Sequence, residues 1–239
     1  MPQNDDVVPG RLYKRHSLAV RVMHWINVVA ICVLVMSGLQ IFNAHPALYW
    51  GASSYTGAGP IWEPGRFPGW ITLPDVQWLS MGRRWHFFFA WVLVINGAAY
   101  WAYAIASRHF SRDLWPARGE WRTIGRSIVD HLHFRHPQGL EATRYNVLQK
   151  LAYVVIVFAV LPLLVLLGLG MSPTFDALVP GWVELFGGRQ SARTLHFAAG
   201  AVVVAFAAVH VFEVFVTGAW NNLRSMVTGR YRVPPERAP

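Results

Sequence analysis

The sequence predicts an all-α integral membrane fold, a four-helix bundle, and three observations predict it. Apolar residues fill 54% of the 239 positions and charged residues only 14%, against about a quarter in soluble domains. The apolar residues gather in four runs, 22–42, 85–106, 147–170 and 195–217. Each can cross a hydrocarbon core of ~30 Å as a helix rising ~1.5 Å per residue. Four histidines, His24, His86, His196 and His210, lie at or inside those runs. An ionisable side chain there is costly and by default functional.

The charge pattern predicts the topology. The net charge is +9, and sixteen of the 21 Lys and Arg fall in the N-terminal tail, between the second and third runs, or after the fourth. Only Arg66, Arg83, Arg84, Arg189 and Arg193 serve the two remaining connections. By the positive-inside rule both termini and the middle connection are expected in the cytoplasm. The basic balance is thus a topology signal, and a nucleic-acid partner is not expected. The first run is too long for the apolar region of a cleavable leader and lacks a small-x-small cleavage site, so it reads as a span. Cys32, the only cysteine, excludes an internal disulfide and a multi-cysteine metal site.

One domain is expected over 1–239. Residues 1–16 form a polar basic tail, and the first span follows. The connection 43–84 is long and outer, rich in proline and carrying Trp50, Trp62, Trp70 and Trp78. That mix disfavours long helices. The tryptophans suit either an interfacial aromatic belt or the docking surface of an external partner. The connection between the second and third spans reads as partly helical and amphipathic, with a turn at His136-Pro137-Gln138-Gly139. Its His131, His133 and His136 read as solvated surface rather than a metal site. Pro162 should kink the third span. Residues 218–239 form a second cytoplasmic tail.

The histidines agree in depth and in face. His196 and His210 are 14 residues apart on the fourth span, roughly 21 Å along the axis and within about 40° around it. His24 enters with the first span at the cytoplasmic depth of His210, and His86 enters with the second at the outer depth of His196. Two bis-histidine sites follow, His24 with His210 and His86 with His196, each suited to a haem iron in the bundle core. Arg21, Arg83 and Arg193 stand three residues before His24, His86 and His196. Residues at i and i+3 share a helix face, so each guanidinium lies a turn nearer the surface, where a haem propionate would meet it. Anchoring at the headgroups explains the arginines too, but not their register with histidine. Gly38 and Gly97 fall on nearly the faces of His24 and His86, at the height of the opposite haem. They would admit a porphyrin edge or close helix packing.

The third span opens Arg144-Tyr145-Asn146-Val147-Leu148-Gln149-Lys150. Asn146 and Gln149 share a face at the depth of the His24/His210 pair. With Lys150 they form a candidate quinone site, or merely a polar helix start whose N–H groups need partners. Glu213, one turn after His210, could relay protons to a quinone or balance Arg21 or Arg224.

His24-Trp25, Arg83-Arg84-Trp85-His86, and Arg193-Thr194-Leu195-His196 with His210 resemble the prokaryotic cytochrome b561 superfamily, from about His16 to Leu223. That superfamily includes the b-type subunits of nickel–iron hydrogenase, formate dehydrogenase and thiosulfate reductase. The start of the third span is similar to the quinone-side segment of the formate dehydrogenase subunit. The resemblance implies two haem b groups, a bacterial inner-membrane location, and electron exchange with ubiquinone or menaquinone. It also implies a periplasmic redox subunit, often a molybdenum enzyme, which the 43–84 loop would dock; a homodimer is left open. One branch of the superfamily acts alone as a superoxide:quinone oxidoreductase, for which Arg83, Arg84 and Arg193 would form an anion funnel. A proton-relay transporter using the same histidines is the third reading.

Overall fold

The computed structural model describes residues 10–54, 59–133 and 145–233, with the side chains of 130–132 excepted. The elements in chain order are β1 (Leu12–Lys14), α1 (Leu18–Phe42), α2 (Leu79–Ala106), α3 (Ile124–Leu132), α4 (Val147–Val155), α5 (Leu161–Gly170), α6 (Pro173–Leu178), α7 (Arg189–Val216), α8 (Ala219–Thr228) and β2 (Arg230–Arg232). Four helices are long and apolar enough to cross a membrane: α1, α2, the α4–α5 stretch Val147–Gly170, and α7. Their side chains are mostly exposed; Trp91, Ile95, Val209 and Phe215, for instance, are all more than 60% accessible. An apolar band of that size is untenable in water and ordinary against lipid.

Three of the four helices begin before their apolar runs: α1 at Leu18, α2 at Leu79 and α7 at Arg189. The apolar run marks the hydrocarbon depth, whereas the helix continues through the interface as long as its backbone can bond to itself. Where a kink is expected at Pro162, one π-helical turn, Ile156–Val160, precedes it. Proline lacks an N–H and its ring crowds the preceding turn, and a wider turn accommodates both.

Two compact units partition the chain. The first gathers residues 1–25, 99–156 and 208–239, so far as these are described. In it the tails are not featureless. The first contributes β1, the second α8 and β2, and the strands pair antiparallel with Tyr13 opposite Tyr231. This two-stranded ribbon departs from the all-α expectation. Two three-residue strands are invisible to a pattern search, because each is stable only once the other is beside it. Between α2 and α4 lie a π turn at Phe110–Leu114, a 3-10 turn at Glu120–Thr123 and α3. The expected turn at 136–139 lies outside the described residues, as do His136 and the side chain of His131. His133 is exposed and bonds the carbonyl of Val129.

The second unit gathers residues 26–98 and 157–207. Asn96, itself buried, donates to the half-buried Asn27 at 2.7 Å and joins α2 to α1. Leu167, Val183 and Ala192 form a small buried cluster with Met171, Phe186 and Leu195 against it. The loop after α1 folds back on this unit. Asn43 and Phe67 exchange two hydrogen bonds of 2.8 and 2.7 Å, and Phe42, Trp62, Phe67 and Phe197 form an aromatic cluster. Trp50, Trp70 and Trp78 remain more than half exposed.

Candidate functional site

Within the second unit, the rings of His86 and His196 face each other with centroids 6.1 Å apart and planes at 63°. The Nδ1 of His86 lies 3.1 Å from the carbonyl of Leu34 on α1 and 3.1 Å from the Ser37 hydroxyl. The Nδ1 of His196 lies 3.0 Å from the carbonyl of Leu164 on α5. A carbonyl only accepts, so each Nδ1 carries the proton and each Nε2 keeps a free lone pair. This is the arrangement by which metal-binding histidines are held.

Those two carbonyls are already used inside their helices, and a glycine makes the second bond feasible. In a helix the Cβ of residue i+4 tilts back over the carbonyl of residue i. Four residues after Leu34 stands Gly38, and four after Leu164 stands Gly168. A Cβ at Gly38 would come within 3.3 Å of His86 Cε1, and one at Gly168 within 3.5 Å of His196 Cε1. The bare flank lets the imidazole reach the carbonyl's second lone pair. Gly38 therefore lies at the His86 end, the height expected of it. A Cβ at Gly97 would meet nothing within 4 Å. Leu34, Ser37, Leu164 and Gly168 were not legible as site residues, although the repeated Leu-x-x-x-Gly on two spans is a signal.

Within the first unit, His24 and His210 face each other at 6.3 Å with planes at 60°. Aromatic rings pack against both. Trp25 meets His24 edge-on at 5.4 Å while its indole N–H donates to the carbonyl of Met226, and Tyr153 meets His210 edge-on at 6.5 Å. The Nδ1 of His24 is buried with no hydrogen-bond partner among the described residues. Tyr153 in turn meets Tyr145 at 5.4 Å, and Tyr145 faces His16 at 6.4 Å. Burial, then Tyr153, pushes the Tyr145 phenol well above its usual range. Burial, then Arg15, lowers His16 to about 4.

The remaining predicted residues divide. Arg193 donates to the carbonyls of Ala47 and His45, and Thr194 to that of Tyr49, so the start of α7 clamps the loop after α1. Arg21 donates to the carbonyl of Val227. Arg83 is exposed and lies over the Phe87 ring. Asn146 caps α4 by accepting from the N–H groups of Leu148 and Gln149, while the Gln149 side chain accepts from the Asn146 N–H. Both amides are thus engaged in a capping box. Lys150 pairs with Glu120 at 2.8 Å. No group of three or more His, Cys, Asp or Glu gathers as a metal site among the described residues.

Two imidazoles ligating one iron from opposite sides have a required spacing. A metal–nitrogen bond of ~2 Å plus a ring radius of ~1.2 Å, doubled, gives roughly 6.4 Å between centroids. Both pairs fit, and each lies inside a set of long apolar helices. The family model for prokaryotic cytochrome b561 matches residues 15–229. The chain belongs to the prokaryotic cytochrome b561 family. Two relatives bear on what such a chain serves. A protein assigned as the protein-methionine-sulfoxide reductase subunit YedZ1 of Azospira oryzae is 32% identical over 91% of this chain and 98% of its own. A protein assigned as a Ni/Fe-hydrogenase B-type cytochrome subunit of Cupriavidus necator is 25% identical over 88% of this chain and 83% of its own. The chain is accordingly a multi-pass bacterial membrane cytochrome of the b type, and its work is electron transfer.

Proposed function

We propose that the protein is a di-haem electron carrier, with His24 and His210 holding one b haem and His86 and His196 the other, exchanging electrons between quinone and a redox partner. The observation that carries this reading is the pair of centroid spacings, 6.3 and 6.1 Å, each within a few tenths of an ångström of the span of a bis-imidazole iron. When bound, haem supplies one-electron chemistry at its iron. The chain's own part is positional. Leu34 and Leu164 hold the proton on Nδ1 of His86 and His196 and aim their Nε2 atoms, while Trp25 and Tyr153 set the rings of the other pair by packing.

Arg83 and Arg193 are proposed propionate partners. Arg193 spends donors on two carbonyls and retains others, because a guanidinium carries five. Arg21 retains donors in the same way. Both termini and the α2–α4 connection are proposed to face the cytoplasm, and the exposed Trp50, Trp70 and Trp78 to meet a periplasmic redox subunit. The relatives' names support a partnered role over a free-standing superoxide oxidase.

Quinone exchange is proposed at the His24/His210 end, near Lys150 and Glu213. The capping box gives Asn146 and Gln149 a structural use, and one substitution separates the two roles. Asn146→Ser keeps a capping oxygen but loses the amide, so a quinone contact predicts a loss of quinol-driven haem reduction with unchanged melting. Unchanged reduction assigns the Asn146 amide to capping alone.

The deciding experiment is a reduced-minus-oxidised spectrum with a pyridine haemochrome count on the detergent-purified chain. Two low-spin b haems per chain are expected. One haem, surviving replacement of a member of either pair, overturns the assignment.

A further inference from the structure

Where the two chain ends meet, Lys14, His16, Arg21, Thr228, Gly229 and Arg230 line a cleft of about 310 Å³. Its lining contains three cations and no carboxylate. The imbalance extends through the surrounding segments: residues 10–25 and 218–233 hold seven Lys and Arg and no Asp or Glu. Like charges held together in a cleft repel one another and are stabilised by an anion. The Nε of Arg21 is buried and has no hydrogen-bond partner among the described residues, although its Nη1 bonds the carbonyl of Val227.

The backbone is built to keep these cations close. Gly229 ends α8 with φ of +80°, and the Arg15 N–H donates to its carbonyl at 2.8 Å. A Cβ there would come within 3.0 Å of the His16 carbonyl oxygen and 3.3 Å of Arg21 Nε, so a side chain would push the two walls apart. His16 senses burial and the neighbouring Arg15 and stays neutral near neutral pH, able to donate or accept a hydrogen bond.

The rim identifies the anion. Leu18, the first residue of α1 and part of the same lining, is 66% exposed; Val22 and Val227 are 49% and 62% exposed. A soluble anion makes no use of such a rim, whereas a phospholipid presents phosphate and acyl chains side by side. We propose that this cleft binds the headgroup of an anionic phospholipid, with Lys14 and Arg230 on the phosphate oxygens, Arg21 adding its charge to the cleft, and the acyl chains along Leu18, Val22 and Val227. Basic residues at the foot of a membrane helix, with apolar neighbours, are the chemistry by which such headgroups are held.

The test is native mass spectrometry of the full haem-loaded chain, incubated with phosphatidylglycerol or with phosphatidylcholine of the same acyl length. Phosphatidylglycerol should be retained and phosphatidylcholine should not. The double variant Lys14→Gln/Arg230→Gln should weaken retention on the order of tenfold to thirtyfold, with the haem spectrum unchanged. Arg11→Gln/Arg232→Gln removes the same charge from the same ribbon outside the cleft and should retain the lipid. Equal losses in the two double variants, or equal retention of the two lipids, would show diffuse attraction and overturn the site. Displacement of the lipid by millimolar inorganic phosphate would show a soluble-anion site and overturn the lipid assignment. If the first double variant yields no haem-loaded protein, Lys14→Gln and Arg230→Gln singly take its place, each expected to weaken retention about fivefold. Neither outcome touches the haem assignment, which the haemochrome count reads separately.

Discussion

His86 and His196 each meet a carbonyl of a neighbouring helix, while Trp25 packs against His24 and Tyr153 against His210, yet the two pairs differ by only 0.2 Å in spacing. Equal spacing reached by unequal means shows that the distance is set by helix placement, and the hydrogen bonds do something else. A carbonyl on Nδ1–H makes the imidazole a stronger donor through Nε2 and favours the oxidised state of a bound metal.

The largest expected effect tests whether the pairs are separable. His86→Ala should remove one of two haems and leave the His24/His210 spectrum intact, read by haemochrome count and by the reduced α-band. Loss of both haems would mean that the pairs fold as one. Next come the glycines, which bear only on the carbonyl-held pair. Gly38→Ala puts a methyl 3.3 Å from His86 Cε1, so the ring must shift by tenths of an ångström; reduced haem retention at that pair is expected. Gly168→Ala, at 3.5 Å, is ordinary contact and should be tolerated, with helix propensity adding up to about 1 kcal/mol of stability. A reversed order of the two variants would break the account of why glycine stands there.

A smaller effect is expected from Ser37→Ala. The hydroxyl donates to the carbonyl of Val33 at 2.6 Å, so toward His86 it acts as acceptor. A net hydrogen bond of ~0.5–1.5 kcal/mol corresponds to roughly 20–60 mV for one electron, and its loss should raise the potential of that haem alone. A spectroelectrochemical titration resolving both haems measures it; a fall in potential would reverse the assigned direction. The smallest effect concerns the other pair's unit. His16, lowered to about 4 in the folded chain, takes up its proton near 6.5 when unfolded. The unfolded state therefore binds more protons between these values. Stability should be flat above pH ~6.5 and fall as pH drops toward 4. Melting of the wild type and His16→Gln at pH 7.5 and 5 compares them, and an equal decline in both would exclude His16 as the cause.

Much of this was legible beforehand. Four apolar runs fix the spans, because lipid leaves a backbone no alternative to helix. The 14-residue interval between His196 and His210 puts both on one face, and chain direction sets each beside His24 or His86, as the ring contacts have it. The supports were less legible. Gly38 is visible by its offset, but Leu34 and Leu164 act through carbonyls, which every residue possesses and no pattern marks. Asn146 and Gln149 could be placed on one face, whereas their reciprocal capping depends on where α4 starts. Arg193 carries the register of a propionate contact, yet its bonds to Ala47 and His45 arise from a loop whose path the sequence does not encode locally.

The sequence by itself determined the membrane class, the four spans, the basic segments and the histidine pairs, since each follows from hydropathy or from the helical repeat along one segment. Only the tertiary structure decided which carbonyls hold the imidazoles, which arginines clamp loops, and that the two tails pair into a ribbon beside a cationic cleft. Those outcomes depend on groups distant in the chain meeting in space, and such contacts carry no periodicity for a sequence to display.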